Sequence, residues 1–296
     1  SDTEKPRVSD AEMLARFQNS KKRPPCSDTL GMRLVEVEQD AQRIRMDFDV
    51  SPGFANPTGA VQGGFISAMM DEAMSTCVII ASNITMTAPT LEMKTSYLRR
   101  LMPGKASVDA RIHVDTAILG AGFSGIGAAI RLDRAGRPDL VVLEWSDGVG
   151  GTWHDNTYPG AACDVRSHLY SFSFALNPDW SRRYAPQDEI RRYLEDCVDR
   201  FGIRERIRLG AYVEEARWDG ALWQLHLRGG DTVSARVLVS GVGALRDPAY
   251  PTIPGSFDGP SMHSARWDHG VSFDGLRVGV IGTGASAIQI VPELAK

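Results

Sequence analysis

A glycine-rich turn at residues 120–125 has the clearest potential for chemistry in this sequence. It follows a short apolar run and precedes an amphipathic helical pattern, which predicts strand, tight turn and helix in that order. Gly120 permits the turn, Gly122 lets the backbone approach a diphosphate, and Gly125 allows the helix to pack closely on the strand. The phosphates would lie on the amides at the helix N-terminus, a site that includes Phe123 and Ser124.

Two further features favour a dinucleotide site over an ordinary glycine loop. The apolar run 140–143 ends in Glu144, where an acidic residue that binds a ribose hydroxyl is expected, although a solvated glutamate is the plainer alternative. A second strand–turn–helix pattern with G-x-G-x-x-A spacing begins at Arg277 and suits a second dinucleotide. Its expected binding residues are Gly282, Gly284, Ser286, Ala287 and Gln289.

Length and composition restrict the class of protein. The 296 residues allow two domains, and 43% hydrophobic with 24% charged residues is typical of a globular protein in water. A net charge of -4 does not suggest nucleic-acid or anionic-membrane binding. We expect no membrane-spanning run, no signal peptide and no metal site, and four free thiols in a cytoplasmic compartment. Because the sequence stops at Lys296 inside an apparent helix, we also expect a piece of a longer protein.

Residues 1–114 have a different pattern from the rest. A polar tail at 1–29 carries a short helical pattern near 11–17 and a basic link, Lys21-Lys22-Arg23-Pro24-Pro25. Alternation predicts strands at 32–37, 43–50, 90–98 and 106–114, with a turn at 56–59. Between them, residues 65–82 are apolar on most faces, which predicts a buried helix. A strand pair, a central helix and further strands are the order of a hotdog fold.

The segment 30–114 resembles hotdog acyl-CoA thioesterases of the phenylacetate-pathway type. The resemblance depends on Asn56, the Gln62-Gly63-Gly64 turn and Asp71, although that family usually has His where this sequence has Gln62. It implies that amides at the helix start, including Gly64, polarise a thioester carbonyl, and that Asp71 is the nucleophile or general base, helped by Asn56. It also implies an acyl-CoA ligand and a homo-oligomer. A plain turn and surface acids are the alternative, and the family's last two strands have no counterpart here.

The segment after Glu144 resembles the flavin-binding segment of Baeyer–Villiger monooxygenases and the related flavin-containing monooxygenases. The resemblance depends on a Gly-Gly-Thr-Trp run and a Tyr-Pro-Gly-x-x-x-Asp stretch. It implies that Gly151, Thr152 and Trp153 lie along FAD, and that the stretch starting at Tyr158 brings Asp164 near the isoalloxazine ring. Bare turns and a core tryptophan are the alternative interpretation of these residues.

The most specific motif is Phe257-x-Gly259-x-x-x-His263-x-x-x-Trp267-Asp268, which matches the Baeyer–Villiger signature at each defined position. In that family the segment links the flavin and nicotinamide domains. The resemblance implies that His263 acts through conformational coupling and not as an acid–base catalyst. Periodicity predicts a helix at 187–201 and strands near 222–227 and 232–238 around this flavin segment.

These observations together predict an α/β protein with a Rossmann-like FAD-binding domain at 115–275. The start of a second Rossmann domain, for NADPH, follows at 276–296, and the α+β hotdog-like segment precedes both. The resemblance implies an oxidoreductase that converts a ketone and O2 to an ester or lactone through a flavin C4a-peroxide, with FAD and NADPH as cofactors. The family's active-site arginine is not expected before Lys296, so we expect little turnover from this sequence alone. A thioesterase with a fused flavin segment and a non-catalytic fusion fragment remain open as alternatives.

Overall fold

The computed structural model describes residues 8–20, 23–244 and 246–296. Residues 1–7 of the tail and Lys21 and Lys22 of the basic link lie outside the described residues. The chain divides into two compact units, residues 1–113 with 217–234, and residues 114–216 with 235–296. The helices are α1 (Asp10–Gln18), α2 (Pro25–Thr29), α3 (Gly63–Ala81), α4 (Phe123–Arg134), α5 (Thr152–Asp155), α6 (Gln187–Arg200) and α7 (Ala285–Leu294). The strands are β1 (Met32–Glu38), β2 (Arg43–Val50), β3 (Gly104–Arg111), β4 (Val114–Leu119), β5 (Leu140–Leu143), β6 (Ile207–Arg208), β7 (Val213–Trp218), β8 (Trp223–Leu227) and β9 (Thr232–Ser240).

The first unit contains a three-stranded antiparallel sheet in the order β1-β2-β3. The alternation predicted for β2 is confirmed, because Ile44, Met46 and Phe48 are buried while the residues between them are more exposed. Helix α3 packs on the buried face of this sheet through Met69 and Cys77, within one apolar core. The predicted strands at 32–37 and 43–50 and the short helix near 11–17 are all present.

Helix α3 differs from its prediction in two ways. It is buried on one face only, since Met74 is 41% and Phe65 36% exposed. A sheet of three strands covers one side of a helix and leaves the other side open. We also expected no apolar run long enough to span a membrane. That expectation was wrong, because α3 is, by length and composition alone, long and apolar enough to cross a bilayer. Its buried face on β2 is what the core helix of a globular unit requires.

The strand predicted at 90–98 does not form. The segment is irregular, and Leu91 and Leu98 are 97% and 91% exposed. A strand satisfies its backbone groups only through a neighbouring strand. In the described part of the chain β3 occupies the edge of β2, and no strand pairs with 90–98. The alternation of polar and apolar residues at 90–98 therefore predicted a strand wrongly.

The second unit is built on parallel strands in the order β6-β5-β4-β9. Helices α4 and α6 contribute Ile126, Ile130 and Leu194 to one apolar core with Ile118 of β4. The predicted helix at 187–201 and the predicted strands at 222–227 and 232–238 are confirmed within one or two residues. The α/β architecture is therefore that of a Rossmann-like sheet.

The second strand–turn–helix pattern forms only in part. Helix α7 is present, but residues 277–281 are irregular, and Val278 and Ile281 are 41% and 74% exposed. A strand of a parallel sheet is normally buried by neighbours on both sides. No described strand pairs with 277–281, so the predicted strand has no partner and does not form.

Candidate functional site

The turn at 120–125 lies at the carboxyl end of β4 and joins it to α4. The Gly120 amide donates to Leu143 O at 2.8 Å, and the Gly241 amide donates to Leu119 O at 2.8 Å, so the turn sits between β5 and β9. Gly120 has a φ of +90°, and a Cβ there would lie 2.8 Å from Gly241 O. This position therefore requires glycine.

Helix α4 begins at Phe123, and its N-cap residue, Gly122, supplies no side-chain capping bond. The first-turn amides of an α-helix have no partner within the helix, and they carry the positive end of its dipole. Because α4 has 12 residues and an uncapped start, these amides are available to an anion. A Cβ at Gly125 would lie 1.8 Å from Gly120 O, so helix and turn are in direct backbone contact.

A second glycine-rich loop, residues 148–151, lies against this turn. The Gly150 amide donates to Ala121 O at 2.9 Å. Gly151 has a φ of +55°, and a Cβ there would approach Gly122 Cα to 2.9 Å. The two backbones therefore meet without side chains between them, and the surface they form consists of backbone atoms.

The Glu144 carboxylate is fixed beside the same turn. The side chain is buried, and its Oε2 accepts from the Ala121 amide at 2.5 Å while Oε1 accepts from the Ser146 amide at 2.9 Å. Each carboxylate oxygen has a second lone pair that these bonds leave free. Glu144 thus joins the end of β5 to the turn and can still accept a hydroxyl.

These elements surround a cavity of about 760 Å³ that lies wholly within the second unit. Most of the binding residues predicted from sequence line it: Gly120, Gly122, Phe123, Ser124, Glu144, Gly151, Thr152, Trp153, Tyr158, Asp164, His263, Ser286 and Gln289. Gly125 lies beneath the turn as a packing residue, while Gly282, Gly284 and Ala287 do not line the cavity.

An aromatic cluster forms one wall of the cavity. The Trp153 Nε1 donates to Tyr170 OH at 3.1 Å, and the two rings meet edge to face at 5.5 Å. Phe123 lies 5.0 Å from the Tyr170 ring and 5.1 Å from the Phe172 ring. Burial raises the pKa of the Tyr170 phenol, so the hydroxyl stays a neutral donor and acceptor. Tyr170 and Phe172 of the aromatic-rich stretch 168–184 thus belong to this cluster.

Asp164 and His263 reach the cavity in different ways. Asp164 is exposed at its wall and follows the buried Cys163. His263 precedes a short 3₁₀ turn, and its Nδ1 accepts from the Ala265 amide at 3.1 Å. Its ring meets Tyr250 edge to face at 5.6 Å. A histidine that caps a connector turn can position that connector, which agrees with a linker role.

Gln289 makes side-chain hydrogen bonds that the sequence did not indicate. Its Nε2 donates to Ala162 O at 2.8 Å, while its Oε1 accepts from Tyr158 OH at 2.8 Å and from the Ala162 amide at 3.4 Å. Gly160 lies under the same helix, where a Cβ would come within 2.7 Å of Gln289 O. One side chain therefore ties α7 to the loop that leads to Asp164. Its contact with a second dinucleotide stays a prediction.

Sequence reasoning missed several side chains of the cavity, among them Trp145, Asp155, Arg246 and Arg266. Burial raises the pKa of the Asp155 carboxyl, and the Ser146 hydroxyl, which donates to it at 3.1 Å, opposes that shift. Trp145 directly follows Glu144, and Asp155 lies three residues after Thr152, so proximity to a motif was the available signal. The two arginines lie in a connector whose folding the sequence does not reveal.

The residues predicted for a thioesterase site are not brought into either of the two cavities described. The Asn56 Oδ1 accepts from the amide and the hydroxyl of Thr58, at 2.9 and 2.7 Å, and so closes its own turn. Asp71 accepts a hydrogen bond from the Thr90 hydroxyl. Gly64 is exposed near the start of α3, with no described atom within 4 Å of the position that a Cβ would take. The catalytic arrangement of these three residues stays a prediction.

The thiols and acids give no further site. All four cysteines are free, with Cys26 exposed and the others buried. The part of the chain that the structure describes contains no group of three or more His, Cys, Asp or Glu side chains able to hold a metal ion.

Comparison with known proteins gives matches across the second unit. A family model described as pyridine nucleotide-disulphide oxidoreductase matches residues 117–296. A Baeyer-Villiger monooxygenase of Streptomyces coelicolor is 53% identical over 186 residues, which cover 62% of this chain and 36% of that relative.

Two solved structures are also similar to this part of the chain. Cyclohexanone monooxygenase with bound epsilon-caprolactone has a TM-score of 0.58 and 41% identity, over 62% of this chain and 37% of that one. OTEMO in complex with FAD and NADP has a TM-score of 0.57 and 36% identity, over 62% and 37% of the two chains. The chain therefore spans little more than a third of the length of the proteins it matches.

Proposed function

This chain belongs to the pyridine nucleotide-disulphide oxidoreductase family, and from that premise we propose that its second unit is the FAD-binding part of a Baeyer–Villiger-type monooxygenase. The proposed reaction converts a small ketone and O2 to an ester or lactone with NADPH as reductant. The matched part covers 36% of the Streptomyces relative, so turnover is proposed for a protein of the family's full length. The observation that carries the proposal is the cavity that the glycine turn, Glu144, Trp153 and Asp164 share.

The residues around this cavity fit a flavin dinucleotide. The uncapped amides at the start of α4 suit a diphosphate, and Glu144 suits a ribose hydroxyl. Gly122 and Gly151 approach each other closely, and a side chain at either position would fill space that the ligand needs. When bound, FAD would supply oxygen activation and NADPH would supply hydride.

Each group of this chain would then contribute binding or positioning. Trp153 would form a flat wall, held by its bond to Tyr170. Asp164 would offer an exposed carboxylate acceptor at the cavity wall. Gln289 would hold the loop that leads to Asp164 against α7, and His263 would order the connector between the two nucleotide-binding parts. The four free thiols support a further proposal, a reducing cytoplasmic location.

Titration of the purified chain with FAD tests the proposal. We expect quenching of flavin fluorescence at a stoichiometry of about one, and weaker binding in Glu144→Gln. Glu215→Gln makes the same chemical change at an exposed strand residue outside the cavity and should bind like wild type. NADPH oxidation that depends on a ketone, in a protein of full family length, tests the reaction. A chain that leaves FAD fluorescence unchanged at about 100 µM would contradict the flavin assignment.

For residues 30–114 we retain a second proposal, a hotdog-type acyl-CoA thioesterase that self-associates. It is supported by the order β1, β2, α3, β3 and by the Gly63-Gly64 pair at the start of α3. Hydrolysis of phenylacetyl-CoA that is lost in Asp71→Asn and kept in Glu92→Gln would support it. No hydrolysis over a panel of acyl-CoA substrates would remove it and leave a non-catalytic segment.

A further inference from the structure

A histidine and an aspartate join the two sides of the second glycine-rich loop, residues 148–151. His154 Nε2 lies 2.8 Å from Asp147 Oδ1, and the two residues flank the loop in the chain. Neither of them lines either of the two cavities described. The His154 side chain is 24% exposed and that of Asp147 is 97% exposed, so the imidazole is fixed by packing while the carboxylate reaches it from solvent.

The His154 imidazole lies directly on the backbone of this loop. A Cβ at Gly148 would approach His154 Nδ1 to 2.7 Å, and a Cβ at Gly150 would approach His154 Cβ to 3.2 Å. The His154 amide also donates to Gly151 O at 2.8 Å. The ring therefore occupies space that is open because residues 148 and 150 are glycines.

The same loop supplies backbone to the proposed dinucleotide site. The Gly150 amide donates to Ala121 O, and Gly151 meets Gly122 in the phosphate-binding turn. Glycine loses more conformational freedom on ordering than any other residue, and this loop has three glycines in four positions. A bond between residues on either side of the loop reduces that freedom. The His154–Asp147 pair therefore favours the conformation in which the loop lies against the turn.

Several other charged groups face this region. They come from α5, α6, the end of β5 and the connector, and they are Asp155, Arg191, Glu144 and Arg266. Asp155 is the neighbour that could be confused with His154 in a titration. Burial raises the pKa of its carboxyl, and its electrostatic interaction with His154 opposes that shift. Asp147 is the group that bonds to the imidazole itself.

We propose that His154 and Asp147 are a positioning pair that orders the loop 148–151 for a dinucleotide and makes its binding depend on pH. A protonated imidazole carries a donor on each ring nitrogen, and its charge strengthens the bond to a carboxylate. A neutral ring has one proton, and with that proton on Nδ1 the Nε2 atom would face Asp147 as a second acceptor. Histidine side chains lose their charge between about pH 5 and 8, so the pair is strongest at the acid end of that range. The inference rests on the proposed dinucleotide function and adds to it two residues outside the binding cavity.

Hydrogen exchange of the ligand-free chain tests the pair without a ligand. At about pH 6 we expect the protection of the Gly150 amide to fall about two- to fivefold in His154→Gln and in Asp147→Asn, because each variant removes the bond between two charged groups. The double variant should lose no more protection than either single variant. His168→Gln is the matched control, because His168 is exposed and lines neither cavity, and its Gly150 amide should exchange as in wild type.

Titration with FAD at about pH 5.5 and about pH 8.5 tests the consequence for binding. The ratio of Kd at the higher pH to Kd at the lower pH should be about two- to fivefold larger in wild type than in His154→Gln. The other titrating groups contribute to the ratio in both proteins, so the comparison isolates His154. Asp155→Asn should keep the larger ratio, whereas Asp147→Asn should lose it.

The outcomes separate this inference from the flavin assignment. Faster exchange of Gly150 in both single variants, in a chain that does not bind FAD, would support the pair and remove the flavin. Unchanged exchange of Gly150 in both variants would overturn the inference, whether or not FAD binds. Equal Kd ratios in wild type and His154→Gln would overturn it as well, and so would a ratio that falls in Asp155→Asn, since Asp155 would then be the titrating group.

The two variants also protect the test against misfolding. Near-ultraviolet circular dichroism identifies a misfolded His154→Gln, whose ring packs on the loop. Asp147→Asn changes a side chain that is 97% exposed, and it then provides the decision in both measurements.

Discussion

Replacing Gly125 by alanine should destabilise the second unit far more than the same change two residues later. A Cβ at Gly125 would lie 1.8 Å from Gly120 O and 2.9 Å from Gly120 C, both backbone atoms of the phosphate-binding turn. A Cβ at Gly127 would meet a Phe172 ring atom at 3.0 Å, and a side chain can move aside. Both residues lie within α4, so the gain in helix propensity, about 1 kcal/mol, is common to the two variants.

The magnitude follows from the overlap. Carbon and oxygen atoms in contact lie roughly 3.3 Å apart, so α4 would have to move by about 1.5 Å from the turn. Overpacking that a side chain can relieve costs about 1–3 kcal/mol, and a backbone clash belongs at or above the upper end. After the propensity gain we expect Gly125→Ala to lower the free energy of unfolding by about 2–3 kcal/mol. Gly127→Ala should stay within about 1 kcal/mol of wild type.

Urea unfolding measured by hydrogen exchange of the β4 and α4 amides reports on this unit alone. With an m value of about 2 kcal/mol/M, the midpoint for Gly125→Ala should fall by about 1–1.5 M. FAD affinity should fall as well, because the moved helix no longer presents its first-turn amides. Equal midpoints for the two variants would refute the claim that helix and turn are in obligatory backbone contact.

Three other predictions concern a hydrogen bond of Gln289, the ionisation of Asp155 and the reactivity of the thiols. Gln289→Leu removes the bond to Tyr158 and should speed hydrogen exchange of the surrounding loop amides about tenfold, whereas unchanged exchange would show that the tether is not needed. Burial raises the pKa of Asp155, so ionisation disfavours the folded state and stability is lost as pH rises through that pKa. Asp155→Asn should therefore raise the melting temperature at pH 7 and have little effect near pH 3; a fall at pH 7 would contradict this. Of the thiols, Cys26 should react with a thiol reagent within minutes, while burial, which raises the pKa of Cys77 to about 11, should delay its reaction until unfolding; two or more fast thiols would count against this arrangement.

Local patterns that depend on few distant residues were predictable from the sequence. The turn at 120–125 follows from glycine spacing, since backbone contact and a positive φ at Gly120 restrict the residue type. The amphipathic helix α6 follows from its 3.6-residue period, because the face carrying Ile190 and Leu194 has to be buried. The position of Glu144 at the end of an apolar run was enough to place it beside the turn.

Other features were decided only by the tertiary structure. The segments 90–98 and 277–281 have strand-like patterns, yet neither forms a strand, because pairing requires a neighbour that periodicity cannot supply. Helix α3 is apolar on most faces, but the three-stranded sheet buries only one of them. The bonds from Gln289 to Ala162 and the clustering of Arg246 with Trp145 join residues more than 100 positions apart. Sequence spacing therefore specifies the residues that bind a nucleotide through the backbone, while side chains that converge from distant loops are known only once the chain is folded.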